Sequence, residues 1–147
     1  LYAGQAGLLT AKVLFDKGDL AGARSALGWV VEKSADPGVQ AIARLRLAAL
    51  MAQDQAAEDA LKLLEASWPP AFEALALDRR GDILAANNKK DQARDAYRKA
   101  WQQLDEQAEY RRFIEVKLNA LGVDPKAAKT EKTEPSKPTT AASGASS

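Results

Sequence analysis

The chain has 147 residues, 46% apolar and 6% aromatic, with 21 basic and 20 acidic side chains and a net charge of +1. That is one domain's worth of chain with enough apolar residues for a core, and so even a charge balance argues against nucleic-acid or membrane-surface binding driven by charge. Neither cysteine nor histidine occurs, which removes disulfides, thiol nucleophiles, the usual zinc sites and imidazole acid–base chemistry.

The chain opens at Leu1 within a helical pattern and contains no signal peptide or transmembrane run, so it reads as an excised fragment of a longer protein. A first helix is expected over 3–16, with Leu8, Ala11, Leu14 and Phe15 on its apolar side. Lys17-Gly18-Asp19 is a turn in which Gly18 takes positive φ and Asp19 caps a second helix over 20–33, burying Ala23, Leu27 and Val30, with Trp29 at the margin. Asp36-Pro37 supplies an N-cap and a first-turn proline for a third helix over 38–52. Gln53-Asp54-Gln55 turns into a fourth helix over 56–66. Ser67-Trp68-Pro69-Pro70 then interrupts the pattern, because two prolines forbid a continuous helix. Trp68 has two readings, a plug between stacked hairpins or an exposed partner-binding aromatic.

Residues 77–100 read as two further amphipathic helices joined by a polar turn at Asn87 to Asp91. Gly81 and Ala93 are small and twelve apart; Ala11 and Ala23, and Ala48 and Ala60, repeat that spacing. The first members, Ala11, Ala48 and Gly81, lie 37 and 33 residues apart, straddling the ~34-residue period of tetratricopeptide hairpins, where small side chains let two antiparallel helices approach closely. Three hairpins are therefore expected, at about 3–33, 37–66 and 70–104. A seventh helix, about 106–121, has Tyr110, Ile114, Leu118 and Leu121 on one face and Glu106, Glu109, Arg111, Arg112, Glu115 and Lys117 on the others. It suits a cap, closing the last repeat with one face and meeting water with the rest. The predicted fold is all-α, a tetratricopeptide-like solenoid over 1–122. Residues 123–147, mostly Lys, Thr, Glu, Pro, Ser and Ala, are expected to form a disordered tail.

No catalytic constellation is apparent. The carboxylates sit among lysines and arginines on helix faces, no glycine loop or metal spacing appears, and no cofactor is expected. Arg80-Gly81-Asp82 spells an adhesion triplet, but Gly81 is the helix-packing position, which argues against a loop-presented ligand. Stacked hairpins bind instead, with the first helix of each pair lining a concave surface. Counting from the small-residue positions puts Leu8, Lys12 and Phe15 there from the first repeat, Ile42, Leu45 and Ala49 from the second, and Asp78 and Asp82 from the third. Such a groove is apolar at its N-terminal half, suited to a hydrophobic peptide or a partner helix, and acidic further on, which opposes clamping of a peptide's terminal carboxylate. The alternative is that these apolar residues pack on one another or on helices outside the fragment, whose open end invites self-association.

Leu45-Arg46-Leu47-Ala48, Arg80-Gly81-Asp82, Gly18-Asp19-Leu20-Ala21-Gly22-Ala23-Arg24 with Ala26 to Val31, and Tyr110-Arg111-Arg112 to Leu118-Asn119-Ala120-Leu121-Gly122 together resemble the YfgM-type proteins over roughly residues 1–122. The resemblance implies a bacterial inner-membrane protein with one N-terminal membrane helix, absent from this sequence, and a periplasmic tetratricopeptide domain. It implies an ancillary, non-enzymatic role at the SecYEG translocon, alongside the chaperone PpiD, in passing exported chains to periplasmic chaperones. It carries no active-site residue.

Overall fold

The computed structural model describes residues 2–127. Its helices are α1 (Tyr2–Asp16), α2 (Leu20–Lys33), α3 (Pro37–Gln53), α4 (Ala57–Leu64), α5 (Pro70–Ala86), α6 (Lys90–Gln103) and α7 (Glu109–Ala120), with no strand among the described residues. Successive helices pair as antiparallel hairpins, and α1, α3 and α5 also touch in series. The protein is thus an all-α hairpin solenoid. Its core is likewise serial. One apolar cluster joins α1, α2 and α3 around Ala11, Leu27 and Val30. A second joins α3, α4 and α5 around Leu45, Ala48, Ala60 and Leu64. The third joins α5, α6 and α7 around Leu84, Tyr97, Ile114 and Leu118. Each interface is stabilised mainly by its own side chains, as in other repeat architectures.

The small-residue pairs do what their spacing predicts. Ala11, Ala23, Ala48, Ala60, Gly81 and Ala93 are all buried. At Gly81 the approach leaves no room for a side chain: the Tyr97 ring of α6 lies where a Cβ would be. Gly81 therefore faces the helix partner, not solvent, as the packing reading of Arg80-Gly81-Asp82 requires.

Asp19 accepts from the Gly22 N–H at 2.9 Å, and Asp36 accepts from Gly38 at 2.8 Å and Val39 at 3.2 Å, satisfying first-turn donors of α2 and α3. Pro37 and Pro70 occupy first-turn positions, where no backbone N–H is missed. The turns repeat more regularly than the side chains do. Gly18, Gln55, Asn88 and Gly122 all take positive φ, at +81°, +59°, +59° and +80°. After each, the next N–H bonds back to a carbonyl five residues earlier: Asp19 to Leu14, Ala56 to Met51, Lys89 to Leu84 and Val123 to Leu118, all at 2.9 Å. These are Schellman closures, spaced 37, 33 and 34 residues apart by position. By this register α7 is the first helix of a fourth unit.

Three expectations change. The fourth helix ends at Leu64, two residues early, and Trp68 fills the gap it leaves. Trp68 packs against the second cluster, donates from Nε1 to the Leu64 carbonyl at 2.9 Å and carries the Arg44 guanidinium 4.9 Å from its ring centre, so the plug reading holds. The tail does not begin at 123: Val123 packs on the third cluster, Pro125 is buried, and Lys126 Nζ lies 3.4 Å from Glu115. The rest of the expected tail, 128–147, lies outside the described residues. Finally, α7 does not turn a uniformly charged face to water. Lys117 reaches α5, and Arg111 lies over the Trp101 ring at 3.7 Å, while the apolar Phe113 and Val116 are exposed beside Glu109 and Arg112.

Candidate functional site: a groove along the first helices

The first helices of the hairpins stand side by side, and two hollows open between them. One, of about 370 Å³, lies between α1 and α3, walled by Lys12, Phe15 and Asp16 on one side and Arg46, Ala49, Leu50 and Gln53 on the other, with Ala11, Ala23 and Leu27 behind. The other, of about 250 Å³, lies between α3 and α5 and is lined by Ile42, Leu45, Arg46, Ala49, Phe72, Leu75 and Arg79. Arg46 and Ala49 belong to both, so the hollows form one groove across the solenoid with α3 as its midline. Helical spacing explains the shared wall: Ile42, Arg46, Ala49 and Gln53 fall at i, i+4, i+7 and i+11 on one stripe of α3.

Of the residues placed on this face by sequence, Lys12, Phe15, Ile42, Leu45 and Ala49 line the groove. Leu45 is nearly buried, at 7% exposure, and serves more as floor than as contact. Leu8 lies outside both linings and packs on the first core cluster. Asp78 and Asp82 are the clearest corrections. Asp78 is 3% exposed, and neither lines the groove. Leu8, Leu45 and Asp78 share one register, three residues before Ala11, Ala48 and Gly81. That position faces the first helix of the following unit, and at α5 the following unit is α7.

The joint formed there is polar. Lys117 Nζ donates to Asp78 Oδ1 at 2.8 Å and pairs with Asp82 Oδ1 at 2.9 Å. The Tyr110 hydroxyl donates to Asp78, and the Tyr97 hydroxyl to Asp82 Oδ1 at 2.6 Å. Burial pushes both tyrosines well above the usual phenol range, and hydrogen bonds to carboxylates push the same way. Burial alone would lower the Lys117 pKa, but the hydrogen bonds and charges of Asp78 and Asp82 outweigh it and raise it. The two carboxylates are committed to holding α7. They do not make the C-terminal half of the groove acidic.

What replaces them was missed in the sequence. At α5 the groove is continued by Phe72, Leu75 and Arg79. Arg46 and Arg79 both stand two residues before their repeat's small position, as Leu9 does before Ala11. That offset was readable, whereas the positions shared by all three repeats in the sequence reading stand three before and one after the small residue. Lys12 is bound to Asp16 at 2.7 Å and Arg79 sits 4.0 Å from Asp82. Arg46 is exposed and makes no ion pair among the described residues.

A larger cleft, about 430 Å³, lies between α4, α5 and α6, but its walls carry mixed charges, and the Arg80–Glu65 pair at 3.4 Å joins two of its lining residues. Among the described residues no cluster of carboxylates could hold a metal ion, and no helix is long and apolar enough to cross a membrane.

A serial hairpin core with an open apolar groove on the first helices defines a helical-repeat protein-interaction domain. A family model described as "Tetratricopeptide repeat-like domain" matches residues 1–123, and the chain belongs to that family. It is 29% identical over 121 residues to the ancillary SecYEG translocon subunit of Neisseria gonorrhoeae, covering 82% of this chain and 58% of that protein. It is likewise 29% identical over 122 residues to the Escherichia coli protein of the same name, covering 83% and 59%. The chain therefore spans just under three fifths of the length of these relatives, and the resemblance to YfgM-type proteins read from its motifs agrees with them. No solved structure matches it.

Proposed function

We propose that this chain is a non-catalytic binding domain that works beside the protein-translocation machinery, taking up a segment of a protein partner in the groove between α1, α3 and α5. The observation carrying this reading is the continuous, mostly apolar groove with Arg46 and Ala49 at its centre. The setting is suggested by the relatives, ancillary subunits of the SecYEG translocon. In that setting the domain stands on the periplasmic side of the inner membrane, tethered by a part of the protein outside this sequence. Its partners are the SecYEG translocon and a PpiD-like chaperone, and its work is to assist hand-over of exported chains to periplasmic chaperones. The test is photo-crosslinking in membranes from the membrane-anchored protein, with the probe at Phe15, Ala49 or Leu75 and a control at Arg98 on α6. Translocon subunits or a periplasmic chaperone recovered from the groove positions but not from Arg98 is the expected result. Equal recovery from all four positions counts against the groove.

A second reading rests on a different observation. Tyr2, Leu9 and Val13 are 84%, 63% and 43% exposed and fall on one stripe of α1, so two copies could associate through that face. Light scattering across a wide concentration range decides it: a monomer throughout removes this reading, and a dimer abolished by Leu9→Asp supports it.

A further inference from the structure

The two halves of the groove differ in shape but share one charge. Within it, the carboxylate of Asp16 is cancelled by Lys12, one turn away on the same helix. Asp78 and Asp82, which would have countered any positive character further along, are withdrawn into the joint with Lys117. Arg79 is loosely shared with Asp82 at 4.0 Å. Arg46 stands between the two hollows with its charge unmatched. A guanidinium in that position favours a planar oxygen anion, which it can bind through two parallel N–H donors.

We infer that the groove is selective for an acid-bearing apolar segment of a protein: two apolar side chains, one per hollow, with a carboxylate side chain between them on Arg46. The inference rests on the groove reading of the previous section and sharpens it to a partner chemistry. Neighbouring helices in such stacks lie ~8–10 Å apart, so the hollows on either side of α3 are roughly 10 Å from centre to centre. In a helical partner that distance separates residues i and i+7 at 1.5 Å rise per residue, and the acid belongs at i+3 or i+4. Phe15 and Leu50 receive one apolar anchor; Ile42, Phe72 and Leu75 receive the other. A basic segment of the same apolar pattern is disfavoured, since Arg46 stands unmatched between the hollows and Arg79 is only loosely shared with Asp82, while Lys12 and Asp16 cancel.

The test uses a labelled helical peptide of ~15 residues with two leucines seven apart and a glutamate midway. A second peptide carries lysine in place of the glutamate. Binding to the whole chain is read by fluorescence anisotropy for the native protein, Arg46→Glu, Ile42→Asp and the remote control Arg98→Glu. Circular dichroism establishes that each variant is folded. The expected result is preference of the native protein for the glutamate peptide, a loss of about fivefold with Arg46→Glu, and a reversed preference for the lysine peptide in that variant. The preference should shrink as salt rises, because the pair is exposed.

If both peptides bind equally and Ile42→Asp abolishes both, the groove stands and its acidic selectivity is overturned. If Arg98→Glu moves the preference as much as Arg46→Glu does, the effect is one of overall charge and the inference falls. Absence of binding by either peptide at millimolar concentration overturns the groove reading itself together with this refinement.

Discussion

Gly81 offers a quantitative test of the packing that sets the solenoid's shape. A Cβ built there would stand 2.6 Å from Tyr97 Cδ1 and 2.9 Å from Cζ, and closer still to Cε1. The ring cannot swing away cheaply. Tyr97 is 3% exposed, and its hydroxyl donates to Asp82 at 2.6 Å, which ties it at the far end. Gly81→Ala should gain ~1 kcal/mol from helix propensity and lose roughly 2–3 kcal/mol from overpacking a filled site. The net is a destabilisation of about 1–2 kcal/mol, or a fall in Tm of ~3–8 °C for a domain of this size. Gly28 is the internal control: it lies mid-helix in α2, and an added Cβ meets nothing within 4 Å. Gly28→Ala should therefore stabilise by ~0.5–1 kcal/mol. Urea melts followed by circular dichroism compare the two. Repeating Gly81→Ala in a Tyr97→Leu background closes a double-mutant cycle, in which the cost should largely vanish. If Gly81→Ala melts at or above the native temperature, or shifts it as Gly28→Ala does, close approach of α5 and α6 is not what fixes glycine there.

Other outcomes follow from the turns and the polar joint. Gln55 holds positive φ without being glycine or asparagine, so Gln55→Gly should stabilise by about 1 kcal/mol, while the same change at solvent-exposed Gln102 in α6 should destabilise by about as much; thermal melts of the two read the difference. Lys117→Met leaves Asp78 buried without its cation, an expected loss of ~2–3 kcal/mol after allowing for the part-exposure of Lys117. Hydrogen exchange should show amides of α7 opening first, and adding Asp78→Asn should recover part of the loss. In alkali, Tyr97, Tyr110 and Lys117 keep protons in the folded state that the unfolded chain begins to release near pH 10. The folded state then holds more protons, so stability is fully present at neutral pH and falls as pH rises beyond about 10. Urea midpoints between pH 8 and 11.5 should decline above 10, and a flat profile would show the joint to be thermodynamically silent.

The fold was legible because its determinants are local and periodic. Small residues twelve apart, Asp19 and Asp36 as caps, Pro37 as a helix start and Pro69-Pro70 as a break between helices each act over a turn or two of chain, and each stands as the sequence implies. The site was half legible. Helical spacing put Lys12, Phe15, Ile42 and Ala49 on the groove, but it could not say that α7 would occupy the ground in front of α5. Leu45 and Asp78 hold the same register. In one the following helix covers an apolar side chain and in the other a carboxylate, and only contacts more than thirty residues apart distinguish a covered acid from a displayed one. The turn at Gln53-Asp54-Gln55 was legible, but the positive φ of Gln55 was not: the hydrogen bond from the Ala56 N–H to the Met51 carbonyl holds a conformation that a glutamine side chain does not favour.

The four closures have a consequence for how the molecule comes into being. Each is made from residues within a few positions of one another, and the main helix contacts join neighbours or next-but-one elements. Such a topology has short loops to close and belongs to the fast end of folding rates. The hairpin of α1 and α2 needs nothing beyond α3 to complete its cluster. This chain can therefore consolidate from its N-terminal side while later residues are still emerging, and a groove half built from α1 and α3 exists before α7 arrives to lock the other end.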